Sequence, residues 1–231
     1  MKLFSTTLLF TAFLAGCGGG GGDSGVPGTA SYAVAAANHN LLTVGGQWIT
    51  TGTGSDGRTY RFTIKSLPLT NGVFALTGTS SARAQQTITF ELIGGTSLTT
   101  GTTQYFDAAT DALIGDLNTD DGTCTRTDSN VALPATAAIG SQGTLYTESL
   151  LSSCSAGATV VESDTVTWSL ENDNGVIQMC QNSVSPYDSG TSANGTVALC
   201  VEINSAGALG SRARMSINVP GLPLSLTTRN Y

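Results

Sequence analysis

An antiparallel all-β fold, a meander of about ten to twelve strands closing as a barrel or a two-sheet sandwich behind a short N-terminal helix, follows from three features of the chain. From Gln47 onward, apolar and polar residues alternate with period two. Turn signatures rich in Gly, Asn and Asp separate the alternating runs. Charged residues make up only 11% of the chain while Gly, Thr and Ser are abundant, which suits sheet and turns rather than coiled coil or charged disorder. A flat sheet of so many strands leaves long unpaired edges, so it must close or fold over on itself.

The elements follow in chain order. Ser31 to Val44 reads as the helix, with Ser31 as its cap and Tyr32, Val34, Ala35, Leu41 and Leu42 on a loose apolar face. After the turn Gly54-Ser55-Asp56-Gly57, Tyr60, Phe62 and Ile64 alternate with Thr59, Arg61, Thr63 and Lys65. Ile88, Phe90 and Leu92 repeat the pattern, and so do Val166, Trp168 and Leu170. Asn172-Asp173-Asn174-Gly175 then ends in Asn-Gly, the signature of a type I′ hairpin. Ile177 and Met179 answer across that turn, which puts Cys180 on the opposite face. Val197, Leu199, Val201 and Ile203 point one way, and Cys200 points with Glu202. Ala213, Met215 and Ile217 form a further apolar face opposite Arg212 and Arg214, and Leu222, Leu224 and Leu226 close the chain. Pro134 and its Ala-rich neighbours are the one candidate boundary, but typical domain sizes favour a single domain over residues 31–231.

The region ahead of that domain has a different character. Met1-Lys2 supplies a positive start, and Leu8 to Leu14 a mostly apolar run too short to span a bilayer. Small residues then lead into Cys17, and Leu14-Ala15-Gly16-Cys17 matches the bacterial lipobox. Residues 1–16 are therefore expected to be a signal peptide, removed as Cys17 is acylated, and residues 17–30 a flexible Gly-rich tether. At about 0.8 kcal/mol per buried methylene, three acyl chains on Cys17 hold firmly, and the membrane is reached through the lipid.

Export places the remaining cysteines, Cys124, Cys154, Cys180 and Cys200, in an oxidising compartment, where an even count reads as two disulfides. Cys124 and Cys154 are equidistant from Ile139, and Cys180 and Cys200 from Gly190, each within a turn-rich stretch. Pairing across hairpins predicts Cys124–Cys154 and Cys180–Cys200. A four-thiolate zinc site is the rival, and it lacks any C-x-x-C knuckle.

Chemistry is sparse. His39 is the single histidine, which excludes multi-histidine zinc sites and is expected to be exposed or locally hydrogen-bonded. No G-x-S-x-G elbow, phosphate loop or dinucleotide fingerprint occurs, so no cofactor is expected. Paired acids are all that a glycosidase needs, and Glu148, Glu162, Asp164 and Glu171 lie in or beside strands, with Glu162 and Asp164 on one face. Solvated carboxylates are the expectation for all four. Asp116, Asn118 and Asp120 place oxygen ligands at alternating positions, as calcium loops do. Asp121 stands where the EF-hand needs glycine and Thr127 where it needs glutamate, so an acidic β-turn is expected instead. Trp48, Trp168, Tyr60, Tyr105 and Tyr146 are candidates for a sugar-stacking platform, although the alternation around Trp168 assigns it to the core. A pI near 4.4 argues against nucleic acid as a partner and against direct binding to an anionic membrane surface.

Scattered stretches carry a resemblance. They are the lipobox with its polyglycine, Trp48 through Tyr60, Gln104-Tyr105-Phe106-Asp107, Leu133-Pro134-Ala135, Gly143-Thr144-Leu145-Tyr146 and Thr167-Trp168-Ser169-Leu170. Together they resemble a group of proteobacterial lipoproteins with no assigned activity. The resemblance implies export and a single β-rich layout, and it carries over no functional residue. In such lipoproteins Gly18, rather than Asp, after the acylated cysteine favours the outer membrane. The expectation is a lipid-anchored envelope protein that binds or supports, with an envelope protein or glycan as partner. A glycan hydrolase using paired carboxylates, and an adhesin or carrier of a small apolar ligand, are the alternatives. Cys17→Ser is expected to move the protein from the membrane fraction to the soluble fraction, and continued labelling by a radioactive fatty acid would exclude the lipobox assignment.

Overall fold

The computed structural model describes residues 30–186, 194–219 and 224–231. The signal segment, Cys17, the tether, the Gly190 turn and Leu222 lie outside the described residues. A two-residue strand β1 (Ser31–Tyr32) precedes helix α1 (Val34–Thr43), and the chain then enters β2 (Gly46–Thr53) and β3 (Thr59–Phe74). Next come β4 (Thr79–Leu92), β5 (Ser97–Phe106), β6 (Leu113–Asn118), β7 (Cys124–Asn130) and the short β8 (Ala137–Ala138). The second half comprises β9 (Gln142–Leu151), β10 (Val160–Asp173), β11 (Val176–Pro186), β12 (Asn194–Ile203), β13 (Leu209–Val219) and β14 (Leu224–Arg229).

Twelve of these strands form a closed barrel in the order β10–β11–β12–β13–β14–β2–β3–β4–β5–β6–β7–β9, every pair antiparallel. Of the two expected architectures the barrel is the one formed, and β1 pairs with β8 apart from it. The Asn174-Gly175 turn has φ of 54° and 82°, the two left-handed residues that a type I′ hairpin requires.

Closure depends on joining the last strand to the first. β14 meets β2 at Arg229↔Thr51, with a further bridge between Gly54 and Leu226. The buried hydroxyls of Thr50 and Thr228 bond across this seam at 2.6 Å. Gly52 is required here, because a Cβ on it would collide with the Thr227 carbonyl oxygen.

The period-two pattern sorts residues between lumen and outside. Inward positions of β2, β3, β12, β13 and β14 build the main core, including Trp48, Phe62, Ile64, Val201, Met215 and Leu226. Most outward positions on the same strands are polar, among them Gln47, Thr51, Arg61, Lys65 and Arg212, with Ile49 an exposed exception. A barrel crossing a bilayer needs an apolar outward band, so this wall has the opposite polarity. Among the described residues no helix is long and apolar enough to cross a membrane.

Barrel width grows with strand number, and side chains alone fill a barrel of about eight strands. With twelve, the lumen has room for more, and α1 occupies one end. Val34 and Ala37 cluster with Trp168, Leu170, Met179 and Ile203 of β10–β12. Leu42 clusters with Ala84, Phe106 and Leu113 of β4–β6, on the other side of the ring. The helix therefore lies across the lumen at the end where β2 begins, called here the helix end. It starts three residues later than expected. Ser31 sits in β1 rather than at the cap, and Ala33 occupies the N-cap with no side-chain bond. Tertiary bonds replace that cap: the Ala33 amide donates to the Ser205 carbonyl and the Asn40 amide group to the Gly207 carbonyl.

A further apolar cluster lies outside the wall. Tyr105 faces away from its lumen-lining neighbours Gln104 and Phe106, and Phe74 packs on it with ring centroids 4.9 Å apart. Cys124 and Leu117 belong to the same cluster. Gly52→Val is expected to lower stability by about 2 kcal/mol or more by forcing the seam apart. Chemical denaturation checks this, and an unchanged midpoint would show that the seam does not limit stability.

Candidate functional site

A cavity of about 440 Å³ opens between α1 and the β3–β9 side of the lumen. The helix contributes Asn38, Leu41 and Leu42, and the facing wall Gln86, Gln104 and Phe106. Alternation sets this lining, since Gln86 and Gln104 occupy inward positions of β4 and β5 beside the buried Ala84. Asn130 is committed to the scaffold, accepting from the Leu113 amide at 3.1 Å and donating to its carbonyl at 2.9 Å. Gln181 Nε2 donates to Asn38 Oδ1 at 3.5 Å and ties the helix to β11. Asp111, a non-glycine residue with φ of 57°, holds His39 Nδ1 at 2.7 Å on the exposed side of the helix. His39 is thus exposed, as expected, and its ring bonds to a residue 72 positions along the chain.

Tyr146 lines the same cavity, and beyond it the lumen turns acidic. Registers Thr127↔Glu148 and Glu148↔Asp164 set one inward row across β7, β9 and β10, and Asp116↔Thr125 places Asp116 of β6 on the same inward face one step along it. Glu148 and Asp164 are each only 4% exposed. That overturns the expectation of solvated carboxylates for these two, because their strand face meets the lumen rather than water. Burial pushes Asp116 up to about 6 and, with the charge of Glu162 adding to it, Asp164 up to about 7. Burial, then the charges of Asp116 and Asp164, raises Glu148 well above the ordinary range. No lysine or arginine is among the groups that shift these three carboxyls. Tyr146 is raised too, by burial first and then by the charges of Glu148, Asp116 and Asp164.

The turn after β6 does not gather the oxygens of Asp116, Asn118 and Asp120. Asn118 Oδ1 accepts from the Asp120 amide at 2.9 Å, and Asp121 Oδ1 from the Thr123 amide at 2.9 Å. These bonds make an acidic β-turn. Asp116 faces the lumen instead, where its cross-strand neighbours are Gln104 and Thr125.

Glu171 belongs to the outer wall. Both disulfides form with the expected partners. Cys180 and Cys200 are direct cross-strand partners in β11 and β12, facing away from the lumen. Cys154 instead follows β9 in the loop leading to β10, so its bond to Cys124 ties a loop to a strand. Among the described residues, one group of three ligand-type side chains has donor atoms within 4.8 Å of one another, namely Glu171, Cys180 and Cys200. Its two sulfurs are bonded to each other, and Arg214 covers them, with Nη2 3.0 Å from Cys200 Sγ and 2.5 Å from Glu171 Oε2. Asp173 extends the network, accepting from Arg229 Nε at 2.7 Å, from the Tyr231 hydroxyl at 2.6 Å and from Arg214 Nη1 at 3.3 Å.

Trp168 is buried in the core as expected, and Trp48 donates to the Gly210 carbonyl at 3.0 Å. Tyr60 stacks on Phe90 inside the lumen and Tyr105 packs outside it, so the five aromatic residues form no shared platform. No protein family, curated protein or solved structure matches this chain.

Burial pushes the Asp173 carboxyl up, but the bonds from Arg229 and Tyr231 and the two arginine charges outweigh it and hold the group below its usual range. A carboxyl depressed in the folded state adds stability above its unfolded pKa of about 3.9 and loses it as pH falls through the folded value. Asp173→Asn is therefore expected to lower stability at neutral pH by about 2 kcal/mol. The gap to wild type should narrow in acid below the unfolded value, and denaturation at both pH values checks it.

Proposed function

We propose that this chain is a lipid-anchored binding protein of the bacterial cell envelope, with a small ligand taken into its barrel lumen beneath α1. The cavity carries the reading. Its volume of about 440 Å³ lies within the range typical of small-molecule sites, about 300–1,000 Å³. Leu41, Leu42 and Phe106 offer apolar surface, while Asn38, Gln86 and Gln104 offer neutral hydrogen-bonding groups. The one carboxylate in the lining, Asp111, is already bonded to His39, so the lining suits an uncharged amphipathic molecule better than a wholly apolar one. The lipobox at Cys17 and the tether behind it support placement at the membrane, and Gly18 favours the outer membrane.

Glycan hydrolysis by paired carboxylates is less well supported. Glu148 and Asp164 do face each other across β9 and β10. Yet Glu148 Oε2 and both Asp164 oxygens are closed to solvent, and neither residue lines the cavity. A glycan in the cavity would not reach them.

Native mass spectrometry of the protein purified from envelopes is expected to show a bound small molecule that is released on denaturation. Ala35→Trp, which fills the cavity from the helix, should abolish that added mass while leaving the circular dichroism spectrum unchanged. A wild-type protein carrying nothing, and taking up no compound from an envelope extract, would refute the proposal.

A further inference from the structure

The acidic row beyond Tyr146 is a second site, independent of whether the cavity takes a ligand. We propose that Asp116, Glu148 and Asp164, with the hydroxyls of Thr125 and Thr127, bind a calcium ion inside the barrel wall.

The observation that points to an ion is a set of buried oxygens without donors. Both carboxylate oxygens of Asp164, Oε2 of Glu148, and the hydroxyls of Thr125 and Thr127 are closed to solvent and have no hydrogen-bond partner. Thr125, 2% exposed, lies close enough to Asp116 and Glu148 to temper the rise in their pKa values, without the geometry of a hydrogen bond. Buried polar groups are normally bonded, and buried charges are paired or coordinate a metal. Here four neighbouring strands present only oxygen, and no cationic side chain among the described residues bonds to Asp164 or Glu148.

Size and donor type select the occupant. These oxygens are closed to bulk solvent. A bare calcium ion sits at about 2.3–2.6 Å from six to eight oxygens in flexible geometry. Magnesium demands a near-ideal octahedron and keeps several waters, which a closed, irregular strand surface does not provide. The absence of nitrogen and sulfur in the row disfavours zinc and copper. The three carboxylates are spread more widely than the 4.8 Å that groups Glu171 with the two cysteines, so binding draws them inward by side-chain rotation on fixed strands. Two positive charges then offset most of the mutual repulsion within the row.

The test uses the acylated full chain in detergent, stripped with EDTA and exchanged into metal-free buffer at neutral pH. Calorimetry with calcium chloride should give one ion per chain, and thermal melting should shift upward by several degrees. Asp164→Asn and Glu148→Gln should each weaken binding by about tenfold or more. In EDTA these two variants should melt at or above the wild type, because removing a charge relieves repulsion, which separates lost binding from lost folding. Asp120→Asn, on the exposed turn, should bind as the wild type does. Absence of heat and of a melting shift in the wild type would overturn the proposal. So would retained binding in both lumen variants, or loss of binding in Asp120→Asn, which places the ion on the turn. An infrared carboxylic-acid band that calcium does not remove would assign the row to protons instead.

Discussion

The seam between β14 and β2 is the constraint on which the rest of the barrel depends. Ten of the twelve pairings in the ring join sequence neighbours, and β7–β9 skips only the short β8, so local hairpins assemble most of the ring. Joining the barrel's last strand to its first is the one long-range pairing in the ring, and it rests on few contacts. Gly52 lets the backbones approach, and the Thr50–Thr228 bond satisfies two buried hydroxyls there. Without this closure β2 and β14 would both be exposed edges, and the lumen would open to water.

Closure at twelve strands sets the interior problem that the sequence then solves unevenly. On the β12–β4 side, large apolar side chains meet and fill the space. On the β5–β10 side they do not, and α1, the cavity and the carboxylate row share what remains. A tightly packed wall and a polar, incompletely filled wall thus coexist in one ring. The first provides cohesion, through apolar burial. The second provides the places where chemistry differs from that of an ordinary core. The two disulfides stand outside both, bracing the outer face of β11–β12 and the loop after β9.

Much of the fold was legible in the residues. The strands through Phe62, Phe90, Trp168 and Val201 alternate cleanly, and the Asn174-Gly175 turn set the β10–β11 register that turns Cys180 to the outer face, where Cys200 of β12 meets it. The helix was legible as an element but not in its role, because amphipathicity shows that a face is buried and not what buries it. Glu148 and Asp164 were misread for the same reason. Both were correctly placed in strands, but a carboxylate on a strand's inner face is solvated or buried according to what stands across the lumen. Asp116 was grouped with Asn118 and Asp120, its neighbours in sequence, whereas its neighbours in space come from β5 and β7. The cavity had no sequence signal, since Asn38, Gln86, Gln104 and Tyr146 are far apart along the chain.

By itself, the sequence determined strand content, the inward and outward sides of the cleanly alternating strands, the Asn174-Gly175 turn and the cysteine partners. These are short-range matters, decided by period-two alternation and by turn residues with restricted dihedrals. Only the tertiary structure decided that the sheet closes as a barrel rather than folding into a sandwich, that α1 crosses the lumen, and that carboxylates from β6, β9 and β10 are brought to one side of it. Those outcomes depend on strand tilt, stagger and pairing between chain segments far apart in sequence, which no local pattern encodes.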